Sequence, residues 1–328
     1  MIKVSIDEMV SELSALASKK VCITFHSVGD TDSVSSAFGI ASILKNATIA
    51  TPDYITSNSK KILELFGYSP SSISTSIEKG LDAVILVDVN NYEDCGSFSE
   101  ILKNYGSKVL VIDHHAPNNS QIRGYNDENY NSAASIVYAI LKRLNSHIDP
   151  NLASLLAAGI ISDSAEFKNS MPDTFIQLGE LLKLAGTDYM SILTRISPVG
   201  DVNGRHATFV DIQESQAEVY NNLLVVRGKA HSHSNLAADN AIRCGVDLAL
   251  FHSFNASEVS FSSRLRPTLD SKYGIHLGRI SQKLAYLIEG TGGGHPCAAG
   301  AFGKKEEAWS VFEETFLNEV LKLVGGSK

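Results

Sequence analysis

Three short runs of branched apolar residues occur in the first third of the chain, and they constrain its fold more than any other feature. The runs are VCITFH, AVILVD and VLVIDHH, at residues 21–26, 83–88 and 109–115. Helical patterns such as SAFGIASILK, residues 36–45, lie between them. Hydrophobic strands that alternate with helices are typical of a parallel β-sheet covered by helices on both faces. The sequence therefore predicts an α/β fold for this part of the chain.

Each of these runs ends in side chains that bind metal ions or exchange protons. The first run ends in His26, the second in Asp88, and the third in Asp113, His114 and His115. In open α/β sheets the functional crevice lies beyond the carboxyl ends of the strands. We therefore expect these side chains to share one site.

Three further aspartates add to this set. Asp30 and Asp32 follow His26 at positions +4 and +6, on a stretch predicted to be the loop before the next helix. The pattern LASLLAAGIISD, residues 152–163, predicts a helix that ends at Asp163. Together with Asp88 these residues supply four carboxylates, which would repel one another strongly unless cations neutralised them.

Two divalent cations would balance the charge of four carboxylates. A site rich in oxygen ligands, with a few imidazoles and no thiolate, suits manganese or magnesium better than structural zinc. Taken singly, a histidine at a strand end or an aspartate in a loop is more often structural. The occurrence of such residues at the ends of four separate segments favours a metal site.

The overall composition excludes several other classes of protein. The chain has 328 residues, enough for two domains, and a formal net charge of -8, which argues against sequence-independent binding to duplex nucleic acid. No segment approaches the roughly 18 apolar residues of a membrane span, and acids interrupt the first 20 residues, so a cytoplasmic protein without a membrane partner is expected. The four cysteines show no C-x-x-C pairing and predict neither a zinc ribbon nor a disulfide framework.

A second unit is predicted after about residue 187. Gly, Pro and Asn punctuate ISPVGDVNGRH, residues 196–206, as in a connection between domains. Strand-like runs follow at 221–228, 246–254 and 258–266, and helical patterns follow at 277–288 and 308–324. The glycine run GTGGGH, residues 290–295, fits neither a Walker sequence nor G-x-G-x-x-G. Taken alone it indicates a tight turn, although successive free backbone N–H groups could also bind a phosphate.

Five motifs in this order resemble those of the DHH phosphoesterase family. HSVGDTD, VILVDVNN, VLVIDHHAPNN and AAGIISDSAEFKNSMPDTF are similar to the four successive motifs of that family. TGGGHPCAAGAFG, residues 291–303, resembles the G-G-G-H-x-x-A-A-G signature of its DHH-associated C-terminal domain. Gly29 stands where many members have proline, which concerns loop shape. Ala133 stands where threonine is usual, and this change is expected to weaken one hydrogen bond near the site.

The resemblance implies a role for each candidate residue of the first domain. It implies two divalent cations, manganese ahead of magnesium, with these ligands: His26, Asp30 and Asp88 for one, and Asp32, His114 and Asp163 for the other, Asp88 bridging both. A hydroxide shared by the cations would attack phosphorus. Asp113 would orient an imidazole, and His115 would contact the scissile phosphate and protonate the leaving oxygen.

In the second domain the resemblance implies residues that bind substrate. Arg264 would pair with a terminal phosphate, and Gly293, Gly294 and His295 would bind the same anion. Arg266 is the alternative if the strand register differs by two residues.

Four other residues have a structural and a functional interpretation. Lys168 and Phe167 could contact a phosphate and a base, but an exposed lysine and a core phenylalanine explain them equally well. His231 and His233 are better explained by an exposed polar loop than by a metal pair.

By resemblance, the expected fold is a parallel β-sheet flanked by helices, the DHH domain, with a smaller C-terminal α/β domain and an active site in the cleft between them. The expected bounds are 1–187 for the DHH catalytic domain, 188–214 for a linker and 215–328 for the DHH-associated substrate-binding domain.

The expected activity is that of a nanoRNase-like phosphodiesterase, which hydrolyses short single-stranded oligonucleotides or linear dinucleotides to nucleoside monophosphates. The alternatives are a phosphatase of the 3'-phosphorylated nucleotide pAp and a RecJ-like single-strand exonuclease. A pyrophosphatase or a non-catalytic nucleotide-binding scaffold is less favoured, because GGGHPCAAG differs from the pyrophosphatase C-terminal domain and every ligand position is filled. RNA or DNA preference, cleavage direction and a homodimer are left open.

Overall fold

The computed structural model describes residues 1–116, 120–164, 167, 170–196, 202–231, 233–254, 258–304 and 306–325. The chain divides into two compact units, residues 1–198 and 199–328. Each unit contains its own β-sheet and its own hydrophobic core. Within the described ranges, every helix is too short or too polar to cross a membrane.

Unit 1 is built on a parallel sheet. Its strands are β1 (Ile2–Lys3), β2 (Lys20–Thr24), β3 (Val28–Gly29), β4 (Asn46–Ile49), β5 (Tyr54–Ile55), β6 (Ala83–Val87), β7 (Val109–Asp113) and β8 (Arg123–Asn126). Six of them form the sheet in the order β1-β8-β7-β6-β2-β4, and each neighbouring pair is parallel. Strands β3 and β5 form a separate parallel pair. The parallel sheet predicted from the three apolar runs is confirmed.

Helices cover both faces of this sheet, as predicted. They are α1 (Ile6–Leu16), α2 (Thr31–Ala41), α3 (Ser57–Leu65), α4 (Ser99–Lys103), α5 (Ala133–Arg143), α6 (Pro150–Asp163), α7 (Pro172–Ala185) and α8 (Tyr189–Ile196). Alternate residues of β6 pack into two different cores: Ile85 and Val87 join the core formed with α2, α5 and α6, whereas Val84 and Leu86 join the core beside α4. Such burial on both sides explains why the strands are continuously apolar.

Unit 2 contains a mixed sheet. Its strands are β9 (Gln216–Tyr220), β10 (Leu223–Lys229), β11 (Leu248–Phe254), β12 (Val259–Leu265), β13 (Thr291–Gly294) and β14 (Ala298–Gly303), in the order β13-β14-β12-β11-β10-β9. Its helices are α9 (Val202–Gln213), α10 (Ser234–Arg243), α11 (Leu269–Tyr273), α12 (Leu277–Leu284) and α13 (Trp309–Gly325). Only β10 and β11 pair in parallel among these described strands. Helices α12 and α13 cover one face and α10 the other.

The stretch predicted as a linker is largely helical. Helices α8 and α9 occupy most of residues 188–214, and Ile192 and Ile196 of α8 are buried in the core of unit 1. The domain bounds drawn from the sequence stay a prediction.

The glycine run is a strand and not the tight turn that the run, taken alone, would indicate. Residues Thr291–Gly294 form β13, which pairs antiparallel with β14. The cause is close packing: a Cβ added to Gly278 of α12 would lie 2.0 Å from the carbonyl oxygen of Gly294, and one added to Gly292 would lie 2.7 Å from the carbonyl oxygen of Ser281. Glycine therefore lets this edge strand approach α12.

The loop that was predicted to carry Asp32 is the first turn of a helix. The side chain of Asp30 accepts a hydrogen bond from the backbone N–H of Ser33 and caps α2, so the helix begins at Thr31. Strand β2 ends at Thr24, two residues before His26. Asp32 is thus held on a helix, and its carboxylate position is more rigid than a loop would make it.

Candidate metal centre

The structure brings the acids and imidazoles of unit 1 together beyond the carboxyl ends of β2, β6 and β7. Three groups each have candidate ligand atoms within 4.8 Å of one another: His26, Asp30 and Asp88; Asp32, His114 and Asp163; and Asp88, Asp113, His114 and His115. Because Asp88 and His114 each belong to two groups, the three form one continuous cluster. We call it the acid–imidazole cluster.

Asp88 lies at the middle of the acid–imidazole cluster. Its Oδ2 is 3.4 Å from Nε2 of His26, and its Oδ1 is 3.4 Å from Nε2 of His114. The backbone of Asp88 has φ 61°, a left-handed conformation that costs energy for most residues other than glycine. Its N–H is bonded to the carbonyl oxygen of Ile112 at 3.0 Å, which holds this turn at the end of β6. This left-handed turn leaves the carboxylate of Asp88 between the imidazoles of His26 and His114.

Ser33 occupies the first of these groups and was not identified from the sequence. Its hydroxyl lies 2.7 Å from Nε2 of His26, 2.7 Å from Oδ2 of Asp88 and 3.0 Å from Oδ1 of Asp30. A hydroxyl has one proton, so it satisfies only one acceptor of this group at a time. The sequence signal was a serine directly after D-x-D, which is indistinguishable from an ordinary helical serine.

The second group lies at the ends of α5 and α6. Nε2 of His114 is 3.3 Å from Oδ2 of Asp163 and 4.0 Å from Oδ2 of Asp32. The carboxylate of Asp32 accepts hydrogen bonds from the backbone N–H groups of Ala133 and Ala134. Since the bond at position 133 comes from the backbone, alanine makes it as well as the usual threonine would.

Burial and mutual repulsion oppose ionisation of two carboxylates in the cluster. Burial, with the charges of Asp88 and Asp163, raises the pKa of Asp32 well above its ordinary value. Burial, with the charges of Asp88 and Asp30, raises the pKa of Asp163 to about 6 despite the nearby imidazole of His114. These carboxylates therefore retain protons more readily than free aspartate does.

Contacts between imidazoles and carboxylates favour the charged forms of His26 and Asp88. Burial disfavours a charged His26, but the carboxylates of Asp30 and Asp88 outweigh burial and raise the pKa of His26 to about 10. Burial likewise opposes the charge of Asp88, yet the nearby imidazoles of His114 and His26 hold its pKa below the ordinary value. The cluster as a whole attracts positive charge.

Two buried atoms in the cluster have unmet bonding capacity. Oδ1 of Asp88 and Nε2 of His114 are buried and make no hydrogen bond with any described residue. Buried polar atoms almost always have a partner, so such atoms facing one another indicate a missing positive ligand. Carboxylate oxygens with imidazole nitrogens, and no thiolate in these groups, are donors that suit manganese or magnesium. The residues present therefore fit a site for divalent cations.

Asp113 and His115 form a pair beside the cluster. Asp113 is fully buried, and its Oδ1 lies 2.9 Å from Nδ1 of His115. This hydrogen bond with Asp113 raises the pKa of His115. The side chain of His115 is 58% exposed, so its ring borders solvent while its Nδ1 edge is anchored. The partner that orients His115 is thus its own neighbour in the D-H-H motif.

A cavity of about 450 Å³ opens beside these residues. It is lined by His26, Ser27, Asp30, Asp88, Val89, Asn90, Asn91, Asp94, Asp113, His115, Ala116 and Asp163. Among the residues that the structure describes, this lining contains five aspartates and neither lysine nor arginine. The residues Asn90, Asn91 and Asp94, which follow β6, were not singled out from the sequence.

The candidate substrate residues of unit 2 lie at one end of its sheet. Arg264 of β12 is in register with Ala298 of β14, and Gly294 of β13 is in register with Ala299. Arg264 donates from Nε to Asp239 at 2.6 Å. The alternative residue, Arg266, pairs instead with Asp247. Gly293 has open space around it, and His295 is exposed.

Three of the four residues with two interpretations lie in the described structure, and each has a structural role. Phe167 packs against the core of unit 1 and lies 5.0 Å, ring centre to ring centre, from Phe175. Lys168 lies outside the described residues. His231 is exposed and pairs with the buried carboxylate of Asp211. His233 is the N-cap residue of α10.

Comparisons with known proteins show related sequences and a related fold. An uncharacterized protein of Methanocaldococcus jannaschii is 28% identical over 239 residues, 70% of this chain and 71% of that protein. A probable manganese-dependent inorganic pyrophosphatase of Lactococcus lactis is 30% identical over 189 residues, so the match spans 52% of this chain and only 57% of the pyrophosphatase. Among solved structures, an exopolyphosphatase-related protein from Bacteroides fragilis has the same fold, with a TM-score of 0.72 at 18% identity and 97% of each chain covered.

Family models match both units. Residues 20–160 match the N-terminal domain of the DHH family, and residues 229–324 match the DHHA1 domain. The first range contains every predicted metal ligand except Asp163, and the second contains Arg264 and the glycine run. The chain therefore consists of an N-terminal DHH-family domain followed by a DHHA1 domain.

Proposed function

We propose that this protein is a metal-dependent phosphodiesterase that hydrolyses short single-stranded oligonucleotides to nucleoside monophosphates. The observation that carries the proposal is the acid–imidazole cluster, in which Asp88 lies between two sets of oxygen and imidazole donors beside a cavity. Two divalent cations are proposed. The ligands of the first would be His26, Asp30 and Asp88, and those of the second would be Asp32, Asp88, His114 and Asp163. When bound, such cations lower the pKa of water toward neutrality and neutralise charge on a phosphate.

The protein's own residues would orient and protonate the substrate. Asp113 holds Nδ1 of His115, so Nε2 of the ring is the edge available to a phosphate in the cavity. A water oxygen forms the new bond to phosphorus and gives up its proton to solvent. The bond between phosphorus and the leaving oxygen breaks, that oxygen keeps the electron pair, and it receives the proton of His115.

The charge of the cavity supports a diester over a more highly charged substrate. Its described lining has five aspartates and no basic side chain other than histidine. A phosphodiester linkage carries one negative charge, whereas pyrophosphate concentrates several charges, which cationic side chains in the lining would help to neutralise. The proposed substrate is therefore an oligonucleotide rather than inorganic pyrophosphate.

In this proposal, residues 215–328 bind the other end of the substrate. An arginine has five N–H donors, and Asp239 with the carbonyl oxygen of Ser263 takes three of those of Arg264. The remaining donors would contact a terminal phosphate. Gly293, Gly294 and His295, at the same end of the sheet, would complete the contact.

A pyrophosphatase is the second candidate, because a probable manganese-dependent inorganic pyrophosphatase is 30% identical over 189 residues. The similarity spans only 52% of this chain and 57% of the pyrophosphatase, so it supports this candidate for only part of the chain.

The test is a hydrolysis assay with end-labelled RNA and DNA of graded length, from the dinucleotide upward, with manganese or magnesium. We expect the highest turnover on the shortest substrates and essentially none with Asp88→Asn, a substitution that suits the left-handed backbone at that position. Asp149→Asn is the matched control, because Asp149 caps the opposite end of the helix that carries Asp163 and asparagine also caps. Pyrophosphate turnover above dinucleotide turnover, or no hydrolysis of either, would reject the proposal.

A further inference from the structure

Asn90 lies just beyond β6 and connects this strand end to the D-H-H motif. Its side chain is buried and donates from Nδ2 to Oδ2 of Asp113 at 2.6 Å and to the carbonyl oxygen of Ala116 at 3.1 Å. Both partners accept hydrogen bonds only, so the NH₂ group of the amide must face them. The amide is therefore fixed in one orientation. The backbone carbonyl oxygen of Asn90 accepts a further hydrogen bond, from the hydroxyl of Ser120 at 2.8 Å.

The bond from Asn90 also fixes the orientation of Asp113. Asp113 is fully buried, and its two oxygens have different partners: Oδ2 accepts from Asn90, and Oδ1 lies 2.9 Å from Nδ1 of His115. A carboxylate held at one oxygen cannot rotate about its χ2 bond without breaking that contact. The three side chains thus form a chain of hydrogen bonds that ends at the imidazole of His115.

We propose that Asn90 is a positioning residue that acts through Asp113 to keep the Nδ1 proton of His115 in place and its Nε2 edge toward the leaving oxygen. This inference rests on the proposed phosphodiesterase function. The side chain of Asn90 donates to Asp113 and to the backbone of Ala116, and neither is among the proposed metal ligands. Asn90 is therefore assigned to proton transfer rather than to metal binding. It extends the proposed site by a residue whose side chain needs no contact with substrate.

A purely structural role for Asn90 would be to support the loop after β7. Asn126 offers a control for that role, because its Nδ2 donates to the carbonyl oxygen of His115 at 2.7 Å and it is equally buried. Asn126 therefore supports the same loop through the backbone, and this hydrogen bond does not involve the carboxylate of Asp113. A comparison of variants at Asn90 and Asn126 therefore distinguishes support of the loop from orientation of the His115 ring.

The experiment compares Asn90→Leu and Asn126→Leu on two substrates, a dinucleotide and the p-nitrophenyl ester of thymidine 5'-monophosphate. A nitrophenolate leaves without a proton, whereas a nucleoside alkoxide needs one. General acid catalysis contributes about 10²- to 10⁴-fold, so we expect Asn90→Leu to lower kcat about 10- to 100-fold on the dinucleotide and less than about 3-fold on the ester. Asn126→Leu is expected to lower both rates by the same factor.

A double-variant cycle tests whether Asn90 acts through His115. In a His115→Ala background, Asn90→Leu is expected to cause no further loss on the dinucleotide, since the two residues act as a unit. A full additional loss in that background, or equal losses on the two substrates, would overturn the inference. Wild-type protein that hydrolyses neither substrate would instead reject the proposed function.

A measurement that does not depend on turnover distinguishes failure of the inference about Asn90 from failure of the proposed phosphodiesterase function. By NMR, the Nδ1 proton of His115 is expected as a slowly exchanging signal in wild-type protein and in Asn126→Leu, and it is expected to vanish in Asn90→Leu. Persistence of that signal in Asn90→Leu contradicts the inference whatever the activity. Thermal melts and manganese titration check that Asn90→Leu is folded and binds metal. If leucine prevents folding, Asn90→Ser replaces Asn90→Leu, because serine removes the amide without adding bulk.

Discussion

Asp32 and Ala133 are 101 positions apart in the chain, yet the carboxylate of one is bonded to the backbone of the other. Oδ2 of Asp32 accepts from the N–H of Ala133 at 2.6 Å, and Oδ1 accepts from the N–H of Ala134 at 2.9 Å. These N–H groups begin α5 and have no partner within the helix, and the helix dipole favours negative charge there. The start of α5 therefore stabilises the buried carboxylate of Asp32, whose ionised form the charges of Asp88 and Asp163 destabilise.

Ala133→Pro tests this relationship. Position 133 is the first residue of α5, where proline is well tolerated, and Ser132 before it has an extended backbone (φ -163°, ψ 155°) that suits a residue preceding proline. The substitution removes the N–H from which Asp32 accepts a hydrogen bond. We therefore expect the free energy of unfolding to fall by about 1–3 kcal/mol and manganese binding to weaken. Urea denaturation and manganese titration measure both. Ala133→Gly keeps the N–H and is the control; equal effects of the two variants on manganese binding would contradict the prediction.

Asp163→Asn should stabilise the metal-free protein at neutral pH. The pKa of Asp163 is raised to about 6, so the folded state binds a proton more tightly than the unfolded state does. The stabilisation that this proton provides is present below pH 4 and is lost as the pH rises to about 6, which leaves an unfavourable charge at pH 7.5. Removing it should raise the free energy of unfolding by about 1 kcal/mol.

Thermal melts with EDTA at pH 7.5 and pH 4 measure this effect. The difference between Asp163→Asn and wild type should be present at the higher pH and absent at the lower one. With manganese in place of EDTA, wild type should gain more stability than the variant, because a ligand that binds the folded state stabilises it by RT ln(1 + [L]/Kd) and the variant lacks one proposed ligand. A variant that is less stable than wild type in EDTA at pH 7.5 would refute the prediction.

The fold of unit 1 was predictable because its strands are buried on both faces. A strand such as β6, with Val84 and Ile85 in different cores, must be apolar at every position, and that pattern is visible in one sequence. The glycine run was not predictable in the same way. Its strand conformation depends on the approach of Gly294 to Gly278 of α12, a contact between backbone atoms that leaves no pattern in the sequence.

The candidate site shows the same division. Residues whose chemistry is conspicuous at strand ends, such as Asp88 and His114, can be grouped from the sequence pattern alone, and they lie together. Asn90 and Ser33 cannot, because amides and hydroxyls are common next to turns and helix starts. Their importance follows from distances of 2.6–2.7 Å to Asp113 and Asp88, and distances of that kind require the tertiary structure.

Two of the cysteines should be inert in the folded protein. Burial raises the pKa of both Cys22 and Cys95 to about 12, so neither forms appreciable thiolate at pH 8. Cys244 is exposed and should react rapidly with a thiol reagent. Time-resolved labelling with mass spectrometry, with and without denaturant, checks the order. Labelling of Cys22 or Cys95 at the rate seen for Cys244 in native protein would show that their surroundings are more open than described.

Substitutions in and beside the glycine run should separate packing from substrate binding. A Cβ on Gly278 would lie 2.0 Å from the carbonyl oxygen of Gly294. The backbone fixes the position of a Cβ, and the oxygen is itself a backbone atom, so no side-chain rotation relieves the contact. We expect Gly278→Ala to lower the free energy of unfolding by about 2–3 kcal/mol in urea denaturation. A Cβ on Gly293 would meet nothing within 4 Å, so Gly293→Ala should change stability by less than about 0.5 kcal/mol.

Gly293→Ala then reports on binding alone. If the bare backbone at Gly293 contacts a phosphate, as proposed, the added methyl group should raise KM for the dinucleotide at an unchanged melting temperature. An unchanged KM would mean that the glycines serve only the approach of β13 to α12. The sequence pattern G-G-G-H would then reflect packing, because a Cβ added to Gly292 or to Gly294 would lie only 2.7 Å or 2.4 Å from its nearest neighbouring atom.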